Sequence, residues 1–141
     1  MILLDNQTNQ DINIKLLEEI ANYLDISKDI ELVITTNSEI AELNSKHRDI
    51  AKPTDVLSFP LEDIEFMPLG SIVISLDYAK EASSKYNHKI NDEITLLFIH
   101  GLLHLLGYDH EIDNGQMRAK EREIVEYFKL PTSLIVRVEG E

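Results

Sequence analysis

The sequence has no cysteine and no long apolar run. Without cysteine, neither a disulfide framework nor a thiolate metal site can form in this chain of 141 residues. A helix that crosses a membrane needs about 20 apolar residues, whereas the longest apolar run, residues 94–106, is interrupted by histidines. No secretory signal pattern is present either. These absences favour a cytoplasmic protein that has no membrane partner.

Basic residues are also scarce, since 13 Lys and Arg are present with 26 Asp and Glu, which gives a net charge of −13. This balance argues against a protein that holds nucleic acid by broad electrostatic attraction. The excess of acidic residues is unevenly distributed along the chain. Residues 1–45 carry nine acids and two lysines, whereas Lys46, Arg48 and Lys52 are accompanied only by Asp49. This short basic segment is either a contact for an anionic partner or ordinary solvated surface.

The apolar pattern predicts one domain, residues 1–141, in which strands and helices alternate at first. No repeat or low-complexity segment occurs, and 43% of the residues are hydrophobic, which fits one core. Strands are predicted near residues 2–7, 30–36, 55–59 and 69–75, and helices over about residues 11–24, 37–47 and 76–87. A last helix begins at Asp113 or Asn114. The order indicates an α+β or α/β domain, with residues 94–106 forming a buried helix on a small sheet.

The segment HGLLHLLGYDH, residues 100–110, is the most informative part of the chain. On a helix, His100 and His104 lie one turn apart on the same face. Gly107 supplies the left-handed residue that ends a helix, so that the chain can fold back and bring His110 to the same point. A buried imidazole without partners costs roughly 1–3 kcal/mol. Three at this spacing therefore favour a metal site over hydrogen-bonded core histidines.

The ligand set favours zinc. Three neutral imidazoles and no thiolate suit a zinc ion with one open coordination position, which is typical of catalytic rather than structural sites. Nickel, copper and iron(II) are alternatives. Asp109 precedes the third predicted ligand and is a candidate to orient a histidine through its second ring nitrogen; the alternative is a surface acid at the end of a helix.

Three separate motifs resemble the bacterial YbeY family of rRNA maturation factors. Besides residues 100–110, they are Leu43-Asn44 with Arg48 upstream of PTDVLSFP at residues 53–60, and LGSIVI at residues 69–74. The resemblance covers almost the whole chain. It implies an α+β fold with a small mixed four-stranded sheet and surrounding helices, about five in this sequence. One departure is Ser71, because the family usually has an acid there.

The resemblance also implies an activity. It is that of a single-strand-specific endoribonuclease with one zinc ion per chain, acting in 3′-end maturation of small-subunit rRNA and in ribosome quality control. Carried over to this sequence, the zinc ligands are His100, His104 and His110, and Arg48 acts at the phosphate. The implied partner is single-stranded RNA of the small ribosomal subunit, and ribosomal or ribosome-assembly proteins are further candidates.

The chemistry of these residues is compatible with RNA cleavage. Zinc held by neutral histidines keeps its full charge, so it can polarise a phosphoryl oxygen or lower the pKa of water to about 7. An arginine such as Arg48 can grip two phosphate oxygens and stabilise the negative charge of the transition state. Lys46 and Lys52 are candidates for contacts along the strand. For each of these three basic residues, a surface side chain without a role is the alternative.

Two other functions fit the same segment. Zinc peptidases of the metzincin type have the spacing HExxHxxGxxH, but this chain has Gly101 where they have their general-base glutamate. Loss of such a base typically lowers the rate by about 10²–10⁴-fold, so that Asp109, Glu111 or Glu93 would have to replace it. The acidic composition also fits a non-catalytic module that binds metal, attaches to the ribosome and cleaves nothing.

Overall fold

The computed structural model describes residues 1–48, 56–61, 67–109 and 112–134. Within these ranges the chain forms an α+β structure with a four-stranded sheet and five helices, as the sequence predicts. None of the helices in the described ranges is long and apolar enough to cross a bilayer. The elements in chain order are β1 (Ile2–Asn6), α1 (Ile14–Tyr23), β2 (Ile30–Thr35), α2 (Asn37–Arg48), β3 (Val56–Pro60), β4 (Gly70–Ser75), α3 (Leu76–Tyr86), α4 (Ile90–Leu105) and α5 (Gln116–Tyr127).

The sheet is mixed, with strand order β1-β2-β4-β3. β2 runs parallel to both β1 and β4, and Ile30 lies opposite Gly70. β3 runs antiparallel to β4, with Val56 opposite Ile74. Parallel neighbours need a crossover connection, which α1 supplies between β1 and β2. The predicted mixed four-stranded sheet is confirmed.

Helix α4 lies on one face of the sheet at the centre of the core. Leu32 of β2 and Ile72 of β4 point to this face and are fully buried together with Phe98 and Leu102 of α4. Because α4 is apolar on nearly every side, it is also covered by α1, α3 and α5. The helix that carries His100 is therefore buried, as predicted.

Helix α2 covers the opposite face of the sheet. Ile40 of α2 is buried against Leu57 and Val73, whose side chains point away from α4. The N-terminal end of α2 is attached near the end of β4, where the Ser75 hydroxyl donates to Asn37 Oδ1 at 2.6 Å. From there α2 runs back along the strands, so its last turn points toward the Gly70 end of β4.

Two glycines allow α4 to lie close to the sheet. A Cβ atom at Gly101 would lie 2.9 Å from Ile72 Cγ2, and one at Gly70 would lie 2.6 Å from Leu105 Cδ2. Both distances are shorter than the roughly 3.5–4.0 Å at which carbon atoms pack. The glycines thus set the distance between helix and sheet, and they bring the C-terminal end of α4 to the Gly70 end of β4.

The beginning of α5 differs from the prediction by a few residues. The sequence predicts a start at Asp113 or Asn114, whereas the helix begins at Gln116, after Gly115 in a left-handed conformation with φ of 98°. The Asp113 carboxylate nevertheless accepts from the N–H groups of Gly115 and Met117, at 2.8 and 2.9 Å. One of the two predicted residues, Asp113, thus accepts from an N–H group in the first turn of the helix, but the N-cap position itself is Gly115, which has no side-chain cap.

Candidate metal centre

His100 and His104 face each other on α4. Their Nε2 atoms are 3.2 Å apart, and the two ring planes make an angle of 78°. Two nitrogens bound to one zinc ion at 2.0–2.1 Å in tetrahedral geometry are about 3.3 Å apart. The two rings therefore have the separation that a shared ion requires.

The turn that ends α4 holds the His104 ring. Gly107 has φ of 98°, and it donates from its N–H to the His104 carbonyl, while the Tyr108 N–H donates to the Leu103 carbonyl, both at 3.0 Å. These two bonds form a Schellman motif. The motif brings the Tyr108 carbonyl to 3.0 Å from His104 Nδ1, which donates to it. The predicted left-handed role of Gly107 is confirmed, and the turn also orients a predicted ligand.

The His100 ring is held from α5. Its Nδ1 atom lies 3.0 Å from Oε1 of Glu121, whose side chain is only 2% exposed. A carboxylate oxygen accepts, so Nδ1 carries the proton and donates. Sequence reasoning missed Glu121, which is 21 residues from His100 along the chain. The available signal was helical spacing, because Glu121 follows Met117 by four residues and precedes Ile124 by three, and both of these are buried.

This hydrogen bonding directs both rings toward one point. With Nδ1 protonated, a neutral imidazole presents a lone pair at Nε2. Two such lone pairs 3.2 Å apart repel each other unless a proton or a cation lies with them. The His100 side chain is 17% exposed, so this ring is not enclosed in the core. The donor set and its spacing therefore fit a divalent metal ion such as zinc.

Other predicted site residues fall at the border of the described chain or beyond it. His110 and Lys52 lie outside the described residues, so their roles stay predictions. Lys46 and Arg48 belong to the last turn of α2, and their side chains lie outside the description. Within residues 1–48, 56–61, 67–109 and 112–134, no three metal-ligating side chains converge. A third ligand for the predicted site thus stays a prediction.

Asp109 lies in the loop after α4, beside an open groove of about 450 Å³ that Tyr108, Ile112 and Asp113 also line. Its backbone carbonyl accepts from the Asp113 N–H at 3.1 Å. The Nδ1 atoms of His104 and His100 are bonded to the Tyr108 carbonyl and to Glu121, so the role of Asp109 as a residue that orients a histidine stays a prediction. With two carboxylates in its lining, the groove is unfavourable for a phosphate.

Ser71, the residue that departs from the family pattern, points to the face of the sheet opposite α4. Its neighbours on β4, Gly70 and Ile72, face the helix, and successive residues of a strand point to opposite faces of the sheet. Its hydroxyl donates to Glu31 Oε2 at 3.1 Å, and Glu31 is its direct neighbour in register on β2. An acid thus still lies at this surface, on the adjacent strand.

A buried histidine outside the facing pair, His88, was missed by the sequence reasoning. His88 Nε2 lies 2.8 Å from Glu93 Oε2, and His88 Nδ1 lies 3.0 Å from Ser133 Oγ. The side chains of His88 and Glu93 are 1% and 0% exposed. These contacts join the loop before α4, the first turn of α4 and the C-terminal segment. They secure the N-terminal end of the helix that carries the facing histidines.

Comparisons with known proteins agree with the motifs. The family model described as Endoribonuclease YbeY matches residues 2–129. Endoribonuclease YbeY of Nautilia profundicola is 59% identical over 139 residues, covering 99% of each chain. That of Aliarcobacter butzleri is 59% identical over 139 residues, covering 97% of this chain and 99% of the relative. The solution structure of TM1509 from Thermotoga maritima has a TM-score of 0.60 at 27% identity, covering 99% of this chain and 93% of that one.

Proposed function

This chain belongs to the Endoribonuclease YbeY family, and we propose that this RNA-cleaving hydrolase is zinc-dependent and specific for single strands. Its proposed role is in 3′-end maturation of small-subunit rRNA and in ribosome quality control. One observation carries the metal-dependent part of the proposal. The Nε2 atoms of His100 and His104 face each other at 3.2 Å, and a hydrogen bond at Nδ1 holds each ring.

The proposed zinc ligands are His100, His104 and His110. Zinc held by them supplies a Lewis acid that polarises a phosphoryl oxygen or makes water more acidic. The part played by the described residues is orientation. The Tyr108 carbonyl and the Glu121 carboxylate keep the proton of each described ring on Nδ1, so both Nε2 atoms serve as ligands. The His100 side chain is 17% exposed, so the proposed ligand is not sealed from solvent.

Arg48 is the proposed phosphate-binding residue. Its guanidinium is always charged and can bond two phosphate oxygens at once. The fold is compatible with this role, since α2 and α4 lie on opposite faces of the sheet but both run toward the Gly70 end of β4, where Leu105 approaches Gly70. Lys46 and Lys52 are proposed to contact neighbouring phosphates. Local basic residues of this kind would offset the net charge of −13 at the point of binding.

Peptide hydrolysis is disfavoured by the packing of Gly101. This residue stands where peptidases with the same histidine spacing have their general-base glutamate. Because a Cβ atom there would lie 2.9 Å from Ile72 Cγ2, the residue faces the sheet. A glutamate at this position would enter the interface between α4 and β4. As a peptidase, this chain would therefore lack both the general-base glutamate and the space for it.

Cleavage assays test the proposal. Zinc-loaded protein is incubated with an end-labelled single-stranded RNA and with the same RNA annealed to its complement. We expect fragments from the single strand only, and a loss of about 10²-fold or more in rate for His104→Ala and for Arg48→Ala. Arg122→Ala is the matched control, because Arg122 is an exposed arginine paired with Glu126 on α5. Identical purification of all variants controls for contaminating nuclease.

Other outcomes point to other functions. Fragments from casein would indicate the peptidase. Zinc binding with RNA and casein both intact would indicate the non-catalytic ribosome-binding module. A small-subunit rRNA precursor with a 3′ extension tests the role in maturation, and cleavage at the mature 3′ end is expected. If the protein cleaves other single-stranded RNAs but not this precursor, the role in maturation is contradicted. The endoribonuclease activity would still stand.

A further inference from the structure

Glu121 is a buried acid that is held in a defined place. It lies on the inner face of α5, whose neighbouring residues Met117, Ile124 and Val125 are each at most 1% exposed. With these residues packed in the core, the backbone of α5 has little freedom relative to α4. The Glu121 carboxylate reaches His100 Nδ1 at 3.0 Å. Its distance from the ring is therefore set by the packing of two helices.

The two facing histidines are held by groups of different charge. His104 donates to a neutral backbone carbonyl, that of Tyr108. His100 donates instead to the negatively charged carboxylate of Glu121. A carboxylate binds an N–H more strongly than a neutral oxygen does. It also makes the imidazole a more basic ligand through its other nitrogen.

A purely structural partner for the His100 N–H would not need a negative charge. Burying a carboxylate is unfavourable unless it is well paired, and the amide oxygen of a glutamine would accept the same hydrogen bond. The carboxylate has two further effects. It excludes the tautomer with the proton on Nε2, and it places one negative charge behind a ligand of a cation. Both effects favour metal binding at Nε2.

We infer that Glu121 is a positioning residue of the metal centre. Its carboxylate holds His100 as the Nδ1–H tautomer and strengthens the Nε2 atom of His100 as a ligand. The inference rests on the proposed function, since it concerns the same site. The Glu121 carboxylate is bonded to Nδ1 of His100, on the side of the ring away from the proposed ligand atom Nε2. It acts through the His100 ring, and its effect is therefore expected in metal affinity before any effect on RNA cleavage.

Zinc affinity of the purified protein provides the test, measured by competition with a chromogenic zinc chelator. We expect Glu121→Gln to weaken zinc binding by about 10–100-fold. Glu121→Asp keeps the charge with a shorter reach, and a smaller loss is expected. Glu126→Gln is the matched control, because it makes the same change at an exposed position of α5 and should leave zinc affinity unchanged.

The melting temperature of the metal-free variants distinguishes positioning from a structural role. If Glu121→Gln lowers that temperature but binds zinc within twofold of the wild type, the positioning role is overturned and the metal centre stands. If the wild type does not bind zinc, this inference and the metal-dependent function both fail. Zinc binding that weakens as expected in a protein that cleaves no RNA would support the inference and contradict the nuclease.

A measurement on the wild type keeps the inference testable if Glu121→Gln does not fold. Long-range ¹H–¹⁵N correlation spectra of the metal-free protein report which ring nitrogen of His100 carries the proton. We expect the proton on Nδ1. A spectrum showing mainly the Nε2–H tautomer would overturn the inference, since Glu121 would then not be setting the tautomer.

Discussion

Gly101 on α4 packs directly against Ile72 on β4, with no space for a methyl group between them. Gly101→Ala would gain about 1 kcal/mol of helix propensity, but overpacking a core typically costs about 1–3 kcal/mol. We expect a net decrease of about 1 kcal/mol in the free energy of unfolding, measured by urea denaturation. Ser84→Ala, at an exposed position of α3, is the control and should not destabilise the protein. A Gly101→Ala variant more stable than the wild type would contradict the close packing.

Gly107→Ala should affect both stability and metal binding. A side chain at φ of 98° is strained, which costs roughly 1–2 kcal/mol. Relaxation of this strain would move the Tyr108 carbonyl away from His104 Nδ1, so zinc affinity should fall together with the melting temperature. Gly107→Asn is the matched variant and should be milder, because asparagine tolerates the left-handed region better. Equal zinc affinity in all three proteins would show that the turn does not orient His104.

His88→Ala should be among the most destabilising substitutions away from the metal centre. It removes the 2.8 Å hydrogen bond to Glu93, and both side chains are buried. Removing one partner of a buried hydrogen bond costs roughly 1–3 kcal/mol. The comparison is Arg122→Ala, which breaks a surface pair and should cost at most about 1 kcal/mol. Similar denaturation midpoints for these two variants would refute the importance of the buried pair.

Glu123 should titrate at an unusually low pH. Hydrogen bonds from Lys120 and then from Tyr23 hold the pKa of its exposed carboxyl below the ordinary value of 4.5. Because the pKa is lower in the folded protein, the stabilising contribution is complete above the pKa of the unfolded chain and is lost as the pH falls through that of the folded protein. Carboxyl ¹³C NMR measures the titration directly. Glu123→Gln should make stability depend less on pH in this acidic range, whereas an ordinary titration midpoint would exclude these bonds in solution.

Removal of zinc should lower the melting temperature. An ion that binds only the folded state adds about 2.7 kcal/mol of stability at a free concentration 100 times its dissociation constant. Calorimetry before and after chelation measures this difference, and zinc should restore it. His104→Ala is the control, because chelation should leave its melting curve unchanged. An unchanged curve for the wild type would count against the metal centre.

The fold was largely predictable because its elements follow local patterns. Short apolar runs, several of them rich in β-branched residues and bounded by polar residues or proline, marked the strands, and helical spacing of apolar residues marked the helices. Errors occurred at boundaries, as at α5, where a turn through Gly115 delays the helix while Asp113 still accepts from the Met117 N–H in its first turn. The strand order and the parallel pairing of β2 with β4 could not be obtained from periodicity. The family resemblance implied a mixed sheet, and it gave no further information on strand order or pairing.

Local sequence by itself determined the buried helix, the one-turn spacing of His100 and His104, and the glycine at which that helix ends, because each depends only on residues a few positions apart. Tertiary structure decided what holds those rings. The Glu121 carboxylate reaches His100 from another helix, and His88 meets both Glu93 and Ser133. Contacts of this kind depend on how helices pack on the sheet, and no local pattern carries that information.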